Sequence, residues 1–259
     1  GNLFMRIGID IMGGDYAPEK TVHGAILALN ELTENIKVVL FGKLNEIISE
    51  LNKHNFDSEK FEIIDCSEII SMEENPTKSF RSKPNSSISK GFEYLAKGKI
   101  DGFASAGNTG AMFVGGFYAV KAIPGILRPP LSAIIPREDG GVTILLDVGA
   151  NADCKPDVLY QFGVLGSLFS EHVCGIKNPK VSLLNLGEEK TKGNMLTQAA
   201  YILMEDNPDY KFIGNCEGRD IFSSEIDVIV CDGFTGNIVL KEVEGIYSIM
   251  KKRGLLDDF

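Results

Sequence analysis

The sequence predicts an α/β protein whose largely parallel sheet carries helices on both faces. Short apolar runs alternate along the chain with stretches of helical spacing, the pattern of repeated strand–helix units. Small turns rich in Gly and Asn follow five of the predicted strands, as loops at the carboxyl ends of parallel strands do. With 259 residues, of which 44% are hydrophobic, the chain can bury a sizeable core. We therefore expect one α/β domain over residues 5–259, preceded at Gly1–Phe4 by a remnant of an added sequence.

In the first part of the chain, strands alternate with helices until the periodicity fails. Strands are predicted at 5–11, 36–41 and 61–65, and helices at 18–29, 44–51 and 88–96. Pro18 suits the first turn of its helix, because the N–H that proline lacks would have no partner there. Residues 68–84 follow neither period, so we expect a long surface segment, which in a compact domain is usually functional or mobile.

The second part of the chain continues the alternation. Strands are predicted at 101–104, 132–136, 142–147, 181–186, 211–214 and 228–231. Helices are predicted at 111–120 and 156–173, in the second half of 181–205, and at the end of 211–250. In the helix at 156–173, we expect an apolar stripe to face the core, formed by Leu159, Phe162, Leu165 and Phe169.

The stretch at 227–241 is the clearest strand-to-helix junction. A buried strand ends at a tight polar turn over 232–237, and a helix follows. We expect Thr235 to cap that helix, and Gly233 and Gly236 to let the backbone approach a ligand. Free N–H groups at such a helix start attract phosphate or carboxylate. Four more polar turns follow other strands, and all five are expected to share one edge of the sheet; the four are at 105–110, 147–153, 187–194 and 215–220.

The composition narrows the function classes. A net charge of −10 argues against a general nucleic-acid surface. No apolar run reaches membrane-spanning length and no signal peptide is visible, so we expect a cytoplasmic protein. The five cysteines form no CxxC pair, and an odd count fits a reducing compartment better than a disulfide framework. We expect the cysteines beside polar turns, Cys216 and Cys231, to be small buried hydrophobes rather than reactive thiols.

Six motifs, taken in order, carry a family likeness. They are Asp-Ile-Met-Gly-Gly-Asp-Tyr-Ala-Pro at 10–18, Ser-Ala-Gly-Asn-Thr-Gly at 105–110, Asp-Val-Gly-Ala-Asn at 147–151, Gly-Glu-Glu-Lys-Thr-Lys-Gly at 187–193, Gly-Asn-Cys-Glu-Gly-Arg-Asp at 214–220 and Asp-Gly-Phe-Thr-Gly-Asn at 232–237. Together they resemble the PlsX family of bacterial phosphate acyltransferases, and the likeness spans residues 5–251. Each motif alone is weak, whereas the ordered set is highly specific.

The resemblance implies an activity and a fold. It implies transfer of a fatty acyl group from acyl carrier protein to inorganic phosphate, giving an acyl phosphate for phospholipid synthesis and for a downstream glycerol 3-phosphate acyltransferase. It also implies a three-layer α/β/α fold like that of the isocitrate and isopropylmalate dehydrogenases and the phosphotransacetylases. A homodimer that contacts the membrane peripherally, and that works without metal or nicotinamide cofactor, is expected on the same grounds.

The end of the chain departs from the family pattern. Members of the family continue with a further Gly-rich segment and a closing helix, whereas this sequence stops at Phe259, so a contribution from such a segment to the site stays open. At 246–259, the apolar Leu255, Leu256 and Phe259 follow a basic run at 251–253. This suits contact with a membrane surface, and packing of a helix end on a partner subunit is the alternative.

The proposed chemistry needs a place for phosphate, a stabilised oxyanion and, where its pKa requires it, a proton for the leaving thiolate. The predicted catalytic residues are Lys192, which is the first choice, Arg219 and Asn237. The predicted substrate-binding residues are Ser105, Gly107, Asn108, Thr109, Gly110, Asp147, Asn151, Asn215, Glu217, Asp232, Gly233, Thr235, Gly236 and Lys241. The acidic members of this set orient cations or hold turns, because like charge repels phosphate. The histidines, which all fall in predicted helices, are expected to take no part; they are His23, His54 and His172.

A basic segment is the predicted dock for the acidic acyl carrier protein. Arg81 and Lys83, with Ser86 and Ser87, form what we expect to be a flexible approach to the site. A solvated run of charge is the alternative.

Three other functions are alternatives to the acyl transfer that the resemblance implies. A metal- and NAD-dependent dehydrogenase of the same fold would show an aspartate cluster and an arginine array, and neither stands out. A phosphotransacetylase acting on acetyl-CoA differs in its donor rather than in its chemistry. A non-catalytic, membrane-associated scaffold would not need its polar turns to bind phosphate.

Overall fold

The computed structural model describes residues 4–256, and the chain divides into two compact units, 1–122 and 123–259. Each unit has its own sheet, helices and core, and each is described by itself. Seven of the nine strands pair only in parallel with their neighbours, and β6 pairs in parallel with β9 and antiparallel with β5. The predicted fold class, a three-layer α/β/α type with mostly parallel strands, is confirmed.

The first unit holds a parallel four-stranded sheet of order β3-β2-β1-β4. Its strands are β1 (Met5–Asp10), β2 (Ile36–Gly42), β3 (Glu62–Asp65) and β4 (Gly102–Ala104). Its helices are α1 (Glu19–Glu31), α2 (Leu44–Lys53), α3 (Pro76–Ser82), α4 (Ser87–Ala96) and α5 (Thr109–Gly115), which continues as a π-helical turn (Gly116–Val120). In register, Ile7 of β1 lies opposite Val38 on one side and Gly102 on the other.

The second unit holds a five-stranded sheet of order β5-β6-β9-β7-β8, in which only β5 runs antiparallel to its neighbour. Its strands are β5 (Ser132–Pro136), β6 (Val142–Leu146), β7 (Lys180–Leu184), β8 (Lys211–Cys216) and β9 (Val228–Val230). Its helices are α6 (Pro156–His172), α7 (Met195–Glu205) and α8 (Gly233–Lys252). The central β9 is buried throughout, which explains why it reads as an uninterrupted apolar run.

The core of the second unit includes only part of the predicted stripe on α6. Leu159 and Phe162 are fully buried against β6, β7 and β9, and Leu165 is half-buried beside them. Phe169 is 37% exposed, so its predicted place in the core is wrong. Phe169 lies in the last turn of α6, close to the end of the helix at His172.

The expected irregular surface segment at 68–84 contains a helix. Asn75 accepts a hydrogen bond from the N–H of Lys78 (3.0 Å) and caps α3, whose first residue is Pro76. The expected flexibility of Ser86 and Ser87 is also wrong, because both are buried and Ser86 caps α4. An Asn-Pro start on a helix of only seven residues leaves too little periodicity to recognise in the sequence.

The start of α8 packs against the turn that follows β6. A Cβ added at Gly236 would lie 1.9 Å from the carbonyl oxygen of Asp147, and one added at Gly233 would lie 2.7 Å from that of Asn151. The cap of this helix is Asp232, not Thr235 as expected, since Asp232 accepts hydrogen bonds from the Thr235 N–H (2.9 Å) and hydroxyl (2.8 Å). Both glycines are therefore required by the contact between helix and turn.

A salt bridge joins the loop before α3 to the end of that helix. The ammonium of Lys83 lies 2.7 Å and 2.9 Å from the two carboxylate oxygens of Glu74 and donates to the carbonyl of Ile69 (2.8 Å). The hydrogen bond from Lys83, together with one from the N–H of Ser71, lowers the pKa of Glu74 to about 2. The ionised form of Glu74 is therefore expected to stabilise the folded chain.

Gly236→Ala should lower the free energy of unfolding by about 1–3 kcal/mol, because the new methyl group has no room beside the Asp147 carbonyl. Gly245→Ala is the matched control on the same helix, where nothing lies within 4 Å of an added Cβ. That control should be neutral or raise stability by about 0.5–1 kcal/mol. Urea unfolding of both variants checks the difference, and equal effects would contradict the packing argument.

Glu74→Gln should change how stability depends on acid. The folded-state pKa is depressed from 4.5 to about 2, so the contribution of Glu74 is complete above pH 4.5 and is lost as the pH falls towards 2. Wild type should therefore exceed the variant in urea midpoint at neutral pH, and the gap should close over that acid window. Glu73→Gln removes the charge of an exposed neighbour and should track wild type throughout. A difference in urea midpoint that stays constant over this pH range would contradict the link between the ionisation of Glu74 and stability.

Candidate functional site

A pocket of about 340 Å³ lies at the carboxyl ends of β7 and β9, between the helices that follow them. We call it the strand-end pocket. Its floor is apolar and is formed by Leu159, Leu184 and Cys231, which are buried, and by Val239 of α8. Open α/β sheets bind ligands at this edge, and the volume falls within the range of small-molecule sites.

The rim of the strand-end pocket is polar, and most of its polar groups already cap helices. Asn194 caps α7 by accepting a hydrogen bond from the N–H of Thr197 (2.9 Å). Asp232 caps α8 through Thr235. Asn185, at the end of β7, completes the polar rim.

Side-chain hydrogen bonds hold the loop between β7 and α7 in place. The side-chain amide of Asn185 donates to the carbonyl of Lys192 (3.2 Å) and to the side-chain oxygen of Asn215 (3.2 Å). Asn215 in turn donates to the carbonyl of Glu189 (3.1 Å). Gly193 has a φ of +98°, and a Cβ there would lie 2.1 Å from the hydroxyl of Thr197. The predicted binding residue Asn215 thus positions the loop that carries Lys192.

The three predicted cations differ in what surrounds them. Arg219 pairs with Glu217 (2.6 Å), and Lys241 pairs with Glu244 (2.8 Å). Lys192 is exposed, and within residues 4–256 its ammonium has no carboxylate oxygen within 4.0 Å. Of these three, Lys192 is the cation whose charge is available to an anionic ligand.

A carboxylate group lies beside Arg219. Oxygen atoms of Glu188, Glu217 and Asp220 lie within 4.8 Å of one another, so these residues are the ones in the described part of the chain that could hold a metal ion. Two of them already cap the short helical turn at 218–220, since Asp220 accepts a hydrogen bond from the N–H of Glu217 (2.8 Å) in a capping box. The pairing of Glu217 with Arg219 further offsets its charge.

The turn after β6 is organised by one buried carboxylate. Asp147 is fully buried and accepts hydrogen bonds from the backbone N–H groups of Leu131, Gly149, Ala150 and Asn151, and from the side chain of Asn151 (2.6–3.1 Å). Asp147 and Asn151, both predicted to bind substrate, therefore use their side chains to hold this turn.

Three of the backbone donors at the start of α8 already have acceptors within the chain. The N–H of Gly233 donates to the Asn151 carbonyl (2.7 Å), that of Thr235 to the Asp232 carboxylate (2.9 Å), and that of Gly236 to the Asp232 carbonyl (3.0 Å). The expectation that these groups capture phosphate is wrong, because chain atoms already satisfy them and the cap is itself negative. Asn237 remains exposed, one turn into the helix beside Gly149.

In the first unit, the turn at 105–110 is likewise held by its own side chains. The hydroxyl of Ser105 donates to the buried carboxylate of Asp10 (2.7 Å) and accepts from the N–H of Gly107 (2.9 Å). Asn108 is buried; it caps α5 and donates to the carbonyls of residues 71 and 74 (3.0 and 3.1 Å). Thr109 is exposed and available.

Other parts of the 105–110 turn are also set by packing. A Cβ at Gly110 would lie 2.4 Å from Pro76, so this glycine serves the contact with α3. The turn follows β4 of the first sheet, whereas the other four turns follow strands of the second. The expectation that all five share one edge of one sheet is therefore wrong.

The predicted dock for acyl carrier protein is only partly exposed. Arg81 is exposed, donates to the hydroxyl of Tyr118 (2.9 Å) and stacks over its ring. Lys83 is bound to Glu74 and to a backbone carbonyl, as described above, so its charge is already compensated. This leaves Arg81 as the docking candidate of the two.

The histidines and the two cysteines singled out earlier lie where the sequence placed them. His23 and His172 lie in helices and His54 at the end of one, and the rings of His23 and His54 stack at 4.8 Å. Cys216 and Cys231 are buried, and burial raises the pKa of Cys216 to about 12 and that of Cys231 well above its usual range. Neither thiol suits a nucleophile.

Sequence reasoning missed several residues of this region. Asn185, Asn194 and Thr197 line the strand-end pocket. Asn185 directly follows β7 and Asn194 directly precedes α7, and these positions were the one signal in the sequence.

A second pocket of about 230 Å³ at the start of α6 is lined by Arg128 and Lys155 with Asp153 and Asp157.

Comparison of the folded chain with solved structures shows its fold. A phosphotransacetylase from Streptococcus pyogenes superposes with a TM-score of 0.65, covering 99% of this chain and 84% of that one at 19% sequence identity. The EutD phosphotransacetylase from Staphylococcus aureus gives a TM-score of 0.62 over 98% and 83% of the two chains, also at 19% identity.

Comparison of the sequence shows its family. Residues 5–254 match the family model described as "Fatty acid synthesis protein". A phosphate acyltransferase from Halothermothrix orenii is 49% identical over 245 residues, which are 94% of this chain and 73% of that protein. One from Dictyoglomus turgidum is 46% identical over 93% of this chain and 71% of that protein. With these matches over nearly its whole length, the chain belongs to the phosphate acyltransferase family of fatty acid synthesis proteins, and it is an acyltransferase.

Proposed function

We propose that this enzyme transfers a fatty acyl group from acyl carrier protein to inorganic phosphate, and that the acyl phosphate serves phospholipid synthesis. Its relatives are named phosphate acyltransferases, which supports phosphate as the acceptor. The observation that carries the proposal is Lys192, an uncompensated cation beside the strand-end pocket on a loop that Asn185 and Asn215 hold in place.

The reaction needs little from the protein beyond placement and charge. A phosphate oxygen attacks the thioester carbonyl carbon, a C–O bond forms and the C–S bond breaks, and its electron pair leaves with the sulfur, which takes a proton from water. Phosphate is already a nucleophile at neutral pH, so no Ser–His–Asp arrangement is required. Positive charge is needed where the anionic nucleophile meets the developing oxyanion, and Lys192 supplies it.

Other predicted residues keep smaller roles in this proposal. Asn237 is exposed and carries an amide donor that suits the oxyanion. Arg219, 75% exposed and paired with Glu217, and Lys241 add positive potential rather than a direct contact. In the first unit, the exposed hydroxyl of Thr109 is the available polar side chain of its turn.

The acidic carrier needs a basic surface on an enzyme whose net charge is −10. Arg81 supplies an exposed guanidinium held by Tyr118, so the cation is oriented before docking. Phosphotransacetylase activity on acyl-CoA is the competing function, and it needs no surface that docks a protein.

We further propose a homodimer in peripheral contact with the membrane. Apolar side chains at the end of α8 are exposed, including Ile246 (52%), Ile249 (58%) and Leu255 (63%), and a basic run at 251–253 lies among them. Phe259 lies outside the described residues. Within 4–256, no helix is both long and apolar enough to cross a bilayer. Flotation with anionic vesicles tests the contact, and recovery of all protein in the lipid-free fraction would contradict it.

Lys192→Ala should lower kcat/KM for acyl-phosphate formation by about 10²–10³-fold, because it removes charge from the transition state. Lys190→Ala is the matched control in the same loop; its ammonium pairs with Glu205 and lies over the ring of Tyr201, so little should change. Product is measured from acyl carrier protein thioester and phosphate. Equal activity in both variants would keep the enzyme and exclude Lys192, whereas an inactive wild type with a confirmed donor would favour the scaffold function.

Arg81→Glu should raise KM for the acyl carrier protein thioester, most strongly at low salt, and leave the corresponding CoA thioester unaffected. Lys20→Glu, the same charge change at another exposed position of the first unit, should alter neither. Steady-state rates with the two donors provide the comparison. If CoA thioester is the better donor and Arg81→Glu changes nothing, the phosphotransacetylase function replaces the one proposed.

A further inference from the structure

We infer that the strand-end pocket binds the acyl chain of the thioester donor. This inference rests on the proposed function. It states which part of the donor, its acyl chain, occupies the pocket. The apolar lining of the pocket consists of Leu159, Leu184 and Cys231 at the floor, which are nearly or fully buried, and of the more accessible Leu186 and Val239. Covering the accessible part of this lining with methylene groups removes apolar area from water on both sides.

The charges of the pocket exclude phosphate as its occupant. Among the described residues that line it, the only one with a full charge is Asp232, and that charge is negative. At the adjoining helix start, the N–H of Thr235 is already taken by the carboxylate of Asp232. A phosphate inside the pocket would meet the negative charge of Asp232, because Lys192 is not among the lining residues, whereas an uncharged alkyl chain meets no such repulsion.

Apolar surface continues outward from the pocket. Leu186 lines the mouth and is 71% exposed. Met195 and Phe234 are each adjacent in sequence to a residue that lines the pocket, and they are 90% and 64% exposed. Of these three side chains, Leu186 itself lines the pocket, and a chain too long for the pocket would lie across it.

The position of the loop links the pocket to the chemistry. Gly193 lines the pocket, and Lys192 precedes it directly on the loop that Asn185 holds. An acyl chain seated on the floor would therefore carry its thioester carbonyl at the mouth, on the side of Lys192. The pocket then sets which chain lengths reach the reacting position.

Val239→Phe tests the assignment, because it adds volume to the pocket wall from α8. We expect the ratio of kcat/KM for palmitoyl over butyryl carrier thioester to change by about tenfold or more, which is within the range that a hydrophobic pocket discriminates. Val243→Phe is the matched control one turn along α8; it is the same substitution in the same hydrophobic cluster, and Val243 does not line the pocket. Its ratio should equal that of wild type.

Binding is measured in parallel, using a palmitoyl ketone analogue in which a methylene replaces the thioester sulfur, so that the result does not depend on turnover. Val239→Phe should weaken binding of this analogue by about tenfold or more, and Val243→Phe should not. Unchanged binding and an unchanged ratio in a folded Val239→Phe protein would overturn the inference and leave the proposed function intact. If Val239→Phe weakens binding of the analogue but wild type forms no acyl phosphate, the acyl-chain assignment is supported and the proposed function is contradicted. If Val239→Phe fails to fold, Val239→Ala takes its place; it should shift the chain-length ratio, and an unchanged ratio would overturn the inference.

Discussion

The second unit depends on one buried carboxylate. Asp147 accepts four hydrogen bonds from the turn that follows β6 and a fifth from the N–H of Leu131, and so fixes the carbonyl groups of that turn in place. The start of α8 packs on those carbonyls through Gly233 and Gly236, which have no side chains to prevent it. Because α8 forms one wall of the strand-end pocket, the carboxylate of Asp147 determines the shape of a site that its own side chain does not line.

The same residue types serve turns and ligands, and this explains why the two are hard to tell apart in a sequence. Gly and Asn fit tight turns and helix caps for the same reasons that they fit anion sites, namely small size and, for Asn, a hydrogen-bonding side chain close to the backbone. What separates the two uses is whether the donors are still free. Asn108 and Asp232 are committed to caps, whereas Lys192 extends from a held loop and pairs with no carboxylate of residues 4–256.

The sequence predicts the elements of this fold well because its strands are apolar runs and its helices have apolar faces, as at 132–136 and 156–173. It misses α3, whose seven residues are too few for a period to show. It cannot divide the strands between two sheets, because pairing is a long-range choice: β9 lies between β6 and β7, far from both in the chain. The pocket is missed for the same reason, since Leu159 and Leu184 read as core in their own segments.

The acidity of the enzyme gives a reason for separating the two substrates within the site. With a net charge of −10, the chain favours an anion most where a cation is left uncompensated, and the described surroundings of Lys192 meet that condition. The apolar floor of the strand-end pocket and its single carboxylate favour the opposite kind of ligand. Acyl chain and phosphate would then approach the thioester carbonyl from different sides of one loop. The loop needs a fixed shape for this, and the hydrogen bonds of Asn185 and Asn215 provide it.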